Sequence, residues 1–149
     1  MDVKSQQAKT VDQFTRQAVP FANLPGHSSA LDLLVQLCKP TDTDLALDVA
    51  CGPGLVACHF APRVAHITGL DITPEMIHQA GLAQAGRGLS NMSWQVGPAS
   101  PLPFADGSFS FAINRYSFHH FQNPAEVLAE MIRVCGLGGR VLVADVAQP

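Results

Sequence analysis

Charge is scarce in this chain. Only 14% of its 149 residues are Asp, Glu, Lys or Arg, and its nine basic residues are scattered without a cluster. Phosphate backbones need a concentrated positive face, so nucleic acid is disfavoured as the primary ligand. No apolar run approaches the roughly 20 residues that span a bilayer, so no membrane insertion is expected. The segment Met1 to Thr10 is polar and mixed in charge, unlike a secretory signal. Four cysteines (Cys38, Cys51, Cys58, Cys135) lack CxxC spacing, and three lie in apolar segments. Reduced, buried thiols and a cytoplasmic location are the expectation. Six histidines form no HExxH or Cys/His cluster, so no metal site is expected. Repeats and low-complexity tracts are also missing. What is present is a 47% hydrophobic chain with net charge −3, read as one domain over residues 1–149 with a real core.

One stretch organises it. Leu45 to Ala50 is an apolar run of strand length, interrupted only by Asp48. Gly52 and Gly54 break the run, and Leu55 to Phe60 reads as the helix that follows. A strand feeding a helix through a glycine turn is the first unit of a doubly wound α/β domain, whose ligands sit at the carboxyl ends of the strands. Glycine lets the backbone turn sharply and approach a ligand closely. Gly52-x-Gly54-x-x-Ala57, with Asp71 further on, also fits a dinucleotide fingerprint. Asp48 argues against that reading, because its carboxylate at the loop mouth would repel a pyrophosphate and attract a cation. A purely structural Asp48, bonded to loop amides, stays open at this point.

The remaining elements follow in order. Ser5 to Val19 carries Val11, Phe14, Ala18 and Val19 at helical spacing. Ser28 or Ser29 is positioned to cap a second helix whose buried face holds Leu31, Leu34, Val35 and Cys38. Strands are expected at 64–71, 92–96, 109–114 and 140–146. The helix after Asp71 starts with Thr73 as cap, Pro74 and Glu75, and turns Met76, Ile77 and Ala80 inward. Asn123-Pro124-Ala125-Glu126 opens another helix, with Leu128, Met131, Ile132 and Cys135 on its inner face.

The motifs in series resemble a known family. Asp48-Val49-Ala50-Cys51-Gly52-Pro53-Gly54 and Gly69-Leu70-Asp71-Ile72-Thr73-Pro74-Glu75-Met76 are similar to the first two motifs of class I S-adenosylmethionine-dependent methyltransferases. Leu102 to Phe109, His119-His120-Phe121-x-Asn123-Pro124 and Arg133-Val134-x-x-x-Gly138-Gly139-Arg140 resemble the small-molecule branch typified by ubiquinone and menaquinone biosynthesis enzymes. The resemblance implies a Rossmann-like sheet of about five parallel strands flanked by helices, S-adenosylmethionine as cofactor and a small-molecule methyl acceptor. It implies cofactor contacts from Asp48, Ala50, Cys51, Gly52 and Gly54, from Asp71, Ile72 and Met76, and from Ala99 and Ser100. In this pattern Asp71 meets the ribose hydroxyls, a diol suited to an acceptor-only carboxylate. Asn114, Arg115 and Tyr116 would border the sulfonium and acceptor. His119 and His120 are the nearest candidates for a general base, against the plainer reading that one packs and the other lies at the surface.

Three departures stand out: Pro98 after Gly97 where an acid is usual, Ser110 where an aspartate usually opens strand 4, and Leu137 in place of a proline. The family sheet has seven strands, so the core at 41–149 reads as truncated after strand 5. That leaves an apolar edge suited to a homodimer. Residues 1–40 are expected to form a helical lid and lead-in. A nicotinamide-dependent oxidoreductase and a non-catalytic cofactor-binding or dimerisation module remain the alternatives.

Overall fold

The computed structural model describes residues 27–146. The expected helix at Ser5 to Val19, and with it the lid, lies outside them. The described elements are α1 (His27–Cys38), β1 (Leu45–Val49), α2 (Leu55–Phe60), β2 (His66–Asp71), α3 (Pro74–Gly86), β3 (Met92–Val96), β4 (Phe111–Arg115), α4 (Pro124–Cys135) and β5 (Arg140–Ala144). Short 3-10 turns cover Ala61–Arg63 and Phe118–His120.

All five strands are parallel, in the order β3-β2-β1-β4-β5. The chain therefore runs outward in one direction through β2 and β3, and in the other through β4 and β5. The reversal falls between β1 and β4, where an open α/β sheet leaves a crevice at the carboxyl ends of its strands.

Both faces of the sheet are covered, which explains its near-continuous apolar strands. On one face Ala46, Ile67, Phe111 and Ile113 pack with Leu31 and Leu34 of α1 and Phe60 of α2. The Phe60 and Phe111 rings lie 5.8 Å apart at the centre of that layer. On the other face Leu47, Val49, Leu70 and Ala112 pack against Val127, Met131 and Val134 of α4. α1 thus belongs to the core, with Leu31, Leu34 and Cys38 buried as expected.

Several expected boundaries shift. α1 begins at His27, so Ser28 and Ser29 fall inside its first turn. β2 starts at His66 because a 3-10 turn occupies Ala61–Arg63. Phe109 donates its amide to Val134 O and lies on α4, so β4 starts only at Phe111. β5 ends at Ala144. Thr73 sits at the N-cap of α3 but its side chain makes no capping hydrogen bond. Asn123 does cap α4, accepting from the Glu126 amide at 3.4 Å.

Half of the expected inward face of α4 stands, with Met131 and Cys135 buried, and the other half moves to Val127 and Val134. Leu128 and Ile132, expected inside, are 38% and 55% exposed, while Val127, Met131, Val134 and Cys135 are buried. Both stripes obey i, i+3, i+4 spacing, so periodicity alone cannot choose between them. Arg133 and Glu130 fix the choice by clamping the loop from Leu102 to Asp106. The Arg133 guanidinium donates to Glu130, Asp106, Phe104 O and Leu102 O, and Glu130 accepts from the Leu102 amide at 2.7 Å.

Candidate functional site

A cavity of about 740 Å³ opens at the carboxyl ends of β1, β2 and β4. The chain turns there in ways ordinary residues avoid. Gly52 and Gly54 have φ of 55° and 86°, and the non-glycine residues Ala50 and Tyr116 have φ of 57° and 62°. Left-handed backbone at a non-glycine residue costs of order 1–3 kcal/mol and clusters at binding sites. An added Cβ at Gly52 would meet nothing within 4 Å, so glycine there keeps the cradle open.

Gly54 does something else. A Cβ at this position would meet the Trp94 ring at 2.9 Å and Ala80 Cβ at 3.0 Å. Its lack of a side chain serves close packing of the loop on α3 and β3, and Gly54 does not line the cavity.

Asp71, at the end of β2, accepts from the Gly52 amide at 2.8 Å and the Thr73 amide at 2.9 Å. It therefore ties the glycine loop to β2. Two carboxylate oxygens offer about four acceptor positions, so capacity remains for a ligand. Burial raises its pKa, opposed by the Thr73 and Gly52 amides.

Asp48 is 1% exposed and its Oδ2 has no hydrogen-bond partner. Burial, then the Asp71 charge, push its carboxyl up to about 8, against the Ala57 amide and Arg115. A buried acceptor left unmatched is costly unless a ligand completes it. Burial, with Asp48 and Asp71 nearby, also pushes the Cys51 thiol well above its usual range, so it is no nucleophile.

The cavity gathers Asp48, Ala50, Cys51, Gly52, Asp71, Ile72, Met76, Ala99, Ser100, Arg115, Tyr116, His119 and His120 from the sequence-predicted set. Gly54 and Asn114 lie outside its lining. Asn114 is fully buried and donates to Val49 O and to Ser117 Oγ, both at 2.7 Å. It joins the ends of β1 and β4 beneath the cavity. Arg115 stacks on the Tyr116 ring, 4.2 Å from its centre. Gly97 and Pro98 line the adenine-side wall expected for Ala99 and Ser100, with no acid among them.

Among the contributors that sequence reasoning passed over, three stand out. Glu126, read only as a helix-start acid, and Val146 both line the cavity. Asp145 does not line it but accepts from the backbone amide of His119 at 2.8 Å and stands 2.7 Å from His119 Nδ1. The available signal was its place: like Asp71, it is an acid at the carboxyl end of a strand. Among the described residues, no His, Cys, Asp and Glu cluster is arranged to hold a metal ion. No described helix is long and apolar enough to cross a membrane.

Residues 47–143 match the family described as methyltransferase domain. The chain belongs to the S-adenosylmethionine-dependent methyltransferase family. It is 34% identical over 115 residues to the uncharacterized methyltransferase YcgJ of Bacillus subtilis, covering 77% of this chain and 46% of that protein. The YcgJ crystal structure superposes with a TM-score of 0.76, covering 78% of this chain and 50% of that one. Ajmaline N-methyltransferase of Rauvolfia serpentina is 31% identical over 133 residues, 82% of this chain and 46% of its own length. The ubiquinone/menaquinone biosynthesis C-methyltransferase UbiE of Desulfotalea psychrophila is 36% identical over 105 residues, 69% and 42% respectively. The chain spans about half the length of the curated relatives it matches.

S-adenosylmethionine is the family's cofactor, and the residues fit it. The unmatched Oδ2 of Asp48 suits an ammonium or sulfonium, Asp71 has acceptor capacity for a diol, and Gly52 leaves the cradle unfilled. The methyltransferase family match over residues 47–143 sets the nicotinamide reading aside.

Proposed function

We propose that this chain binds S-adenosylmethionine in the switch-point cavity and that the protein methylates a small-molecule acceptor. The observation that carries the reading is the buried Asp48 carboxylate with its unpartnered Oδ2 beside Asp71. Asp48 takes the cofactor's amino group, and Asp71 takes the ribose hydroxyls while it holds the glycine loop. Ile72 and Met76 pack on the adenine, and the backbone at Ala99 and Ser100 meets its edge. Pro98 lacks an amide hydrogen, so that edge rests on its neighbours. The bound cofactor supplies an already activated methyl group, which leaves the protein mainly the work of alignment. Arg115 and Tyr116 border the acceptor, held in place by the Asn114 tie.

A small acceptor is supported by the scattered basic residues and by two relatives named for an alkaloid and for quinone biosynthesis. Calorimetry with S-adenosylmethionine and with NAD tests the cofactor. Release of S-adenosylhomocysteine over a set of small acceptors tests the activity, and binding without turnover would favour the non-catalytic module.

Two further parts of this reading are testable. The segment Met1 to Val19, outside the described residues, is expected to serve as a lid, so its deletion should leave a folded protein with poorer cofactor or substrate binding; loss of folding would overturn that. Among the described residues β5 pairs only with β4, and Val143 beside its free edge is 37% exposed. Pairing with a second copy follows, read as a dimer in light scattering that Val143→Lys weakens.

A further inference from the structure

The cavity is unevenly supplied with charge. Its lining holds three acids, Asp48, Asp71 and Glu126, while Arg115 is its one Lys or Arg. Asp48 and Asp71 are buried and are assigned above to the cofactor. Glu126 is exposed to water in the first turn of α4, where its charge suits the positive end of the helix. That leaves the guanidinium. Arg115 closes β4 opposite Ala144 of β5, and the following amide, that of Tyr116, donates to Ala144 O at 2.7 Å. The left-handed backbone of Tyr116, with φ of 62°, places its ring against the Arg115 side chain, 4.2 Å from the guanidinium carbon. Stacking fixes the plane of the fork and leaves its donor edge for other groups. Among the described residues that edge makes no hydrogen bond and no ion pair. Arg133 and Arg140, by contrast, are each paired with an acid. Burial raises the Asp48 carboxyl and the Arg115 charge opposes it, so the guanidinium is felt inside the site. A half-buried cation without a counter-charge is incomplete until an anion joins it. The segments after β4 and β5 also bring apolar groups to the lining, among them Phe121, Val127 and Val146.

From this unmatched guanidinium in a partly apolar cavity we infer that Arg115 selects the methyl acceptor by a carboxylate. The acceptor is an organic acid whose carboxylate takes the donor edge of the fork and whose apolar body lies toward Phe121, Val127 and Val146. The inference rests on the methyltransferase reading above and names the class of acceptor within it. A planar carboxylate matches two parallel N–H donors, the strong charge-assisted arrangement. An anion there also offsets the repulsion between Arg115 and the sulfonium of the bound cofactor. A neutral or cationic acceptor would leave the fork unmatched. Arg115 is thus a specificity-determining residue. The cofactor carries a carboxylate of its own, and the test separates the two sources.

Benzoate, benzamide and benzylamine share a ring and differ in charge. Calorimetry on the chain loaded with S-adenosylhomocysteine should show benzoate bound roughly tenfold or more tightly than benzamide, with benzylamine weakest. Arg115→Gln should remove that preference. Arg115→Lys keeps the charge without the fork, so it should retain only part of it. Equal binding of the three, binding by none of them, or a preference that survives Arg115→Gln would overturn the inference. A second pair of probes reads the cofactor side. S-adenosylhomocysteine and 5′-methylthioadenosine, which lacks the amino-acid end, should keep the same ratio of affinities in Arg115→Gln as in the wild type. Selective loss of S-adenosylhomocysteine would assign Arg115 to the cofactor's carboxylate and overturn the acceptor role. Failure of the wild type to bind S-adenosylmethionine would instead sink the underlying reading, and calorimetry reports that separately.

Discussion

Two aspartates bracket β1, and they are treated in opposite ways. Asp44 precedes the strand at its amino end and is 6% exposed. It accepts from the Thr41 amide at 2.8 Å and pairs with Arg140 at 2.9 Å. Burial raises its pKa, but Thr41 and Arg140 outweigh it and hold the carboxyl below the usual range. Asp48, four residues on and 1% exposed, keeps an unmatched oxygen and is pushed up to about 8. The amino end of the sheet is finished by the protein itself: Ser110 Oγ takes the Leu45 amide, and Arg140 bridges β5 to Asp44. The carboxyl end is left incomplete, with left-handed Ala50 and Tyr116 and a carboxylate awaiting a partner. A binding site is where a fold stops satisfying its own polar groups, and stability given up there is recovered from the ligand.

The largest expected effect comes from Asp71, which belongs to both economies at once. It holds Gly52 and Thr73 and also faces the cavity. Asp71→Ala should weaken S-adenosylmethionine binding by roughly 1.5–3 kcal/mol, the range for hydrogen bonds to a charged group. The strand-end position alone suggests little effect on stability. The two orphaned loop amides say otherwise, so the melting temperature should fall as well. Unchanged affinity by calorimetry would remove Asp71 from the site.

Asp48 should show its character through pH. Its folded pKa of about 8 lies above the roughly 3.9 of an unfolded chain. Between those values the native state holds a proton that the unfolded state has released, so stability falls as pH rises. Asp71, also raised by burial, adds to the same trend. A cationic ligand selects the ionised carboxylate, so affinity should rise toward pH 8, by at most about tenfold per pH unit. Asp48→Asn should flatten both curves, leave stability at neutral pH equal or higher, and weaken cofactor binding most at pH 8. A pH-independent affinity in the wild type would show that the cofactor does not address Asp48.

The contrast between the two ends also explains what the sequence could reveal. The glycine loop, the doubly wound sheet it opens and the acids at Asp48 and Asp71 are written in residue types that suit few other roles. The α4 face was misjudged because Leu128 and Ile132 form as good a stripe as Val127 and Val134, and a salt-bridged clamp from Arg133 made the choice. Ala50 and Tyr116 carry no mark of left-handed backbone, since glycine is the residue that signals it. Gly54 and Asn114 sit in motif positions yet work one layer below the cavity, on Trp94 and on Val49 O. Asp145 was illegible as His119's partner because the two meet across 26 residues, and only the β4–β5 pairing brings them together.

The smallest expected effect sharpens the comparison most. Asp44→Asn keeps an acceptor for the Thr41 amide but removes the charge facing Arg140, whose side chain is 42% exposed. Water replaces much of such a pair, so the loss should be about 0.5–1 kcal/mol at neutral pH. The sign of its pH dependence is opposite to that of Asp48. A carboxyl held low in the native state contributes stability above the unfolded pKa and loses it as pH falls through the folded value. The Asp44→Asn and wild-type stability curves should therefore part at neutral pH and converge in acid, while the Asp48→Asn and wild-type curves converge in acid with the substituted protein the more stable at high pH. Cofactor affinity should not change, because Asp44 lies at the far end of β1 from the cavity. Paired urea titrations across pH 3 to 8 would expose the two signs side by side. If both substitutions moved stability in the same direction, the division between a finished end and an incomplete end would fail, and Asp48 would be one more structural carboxylate.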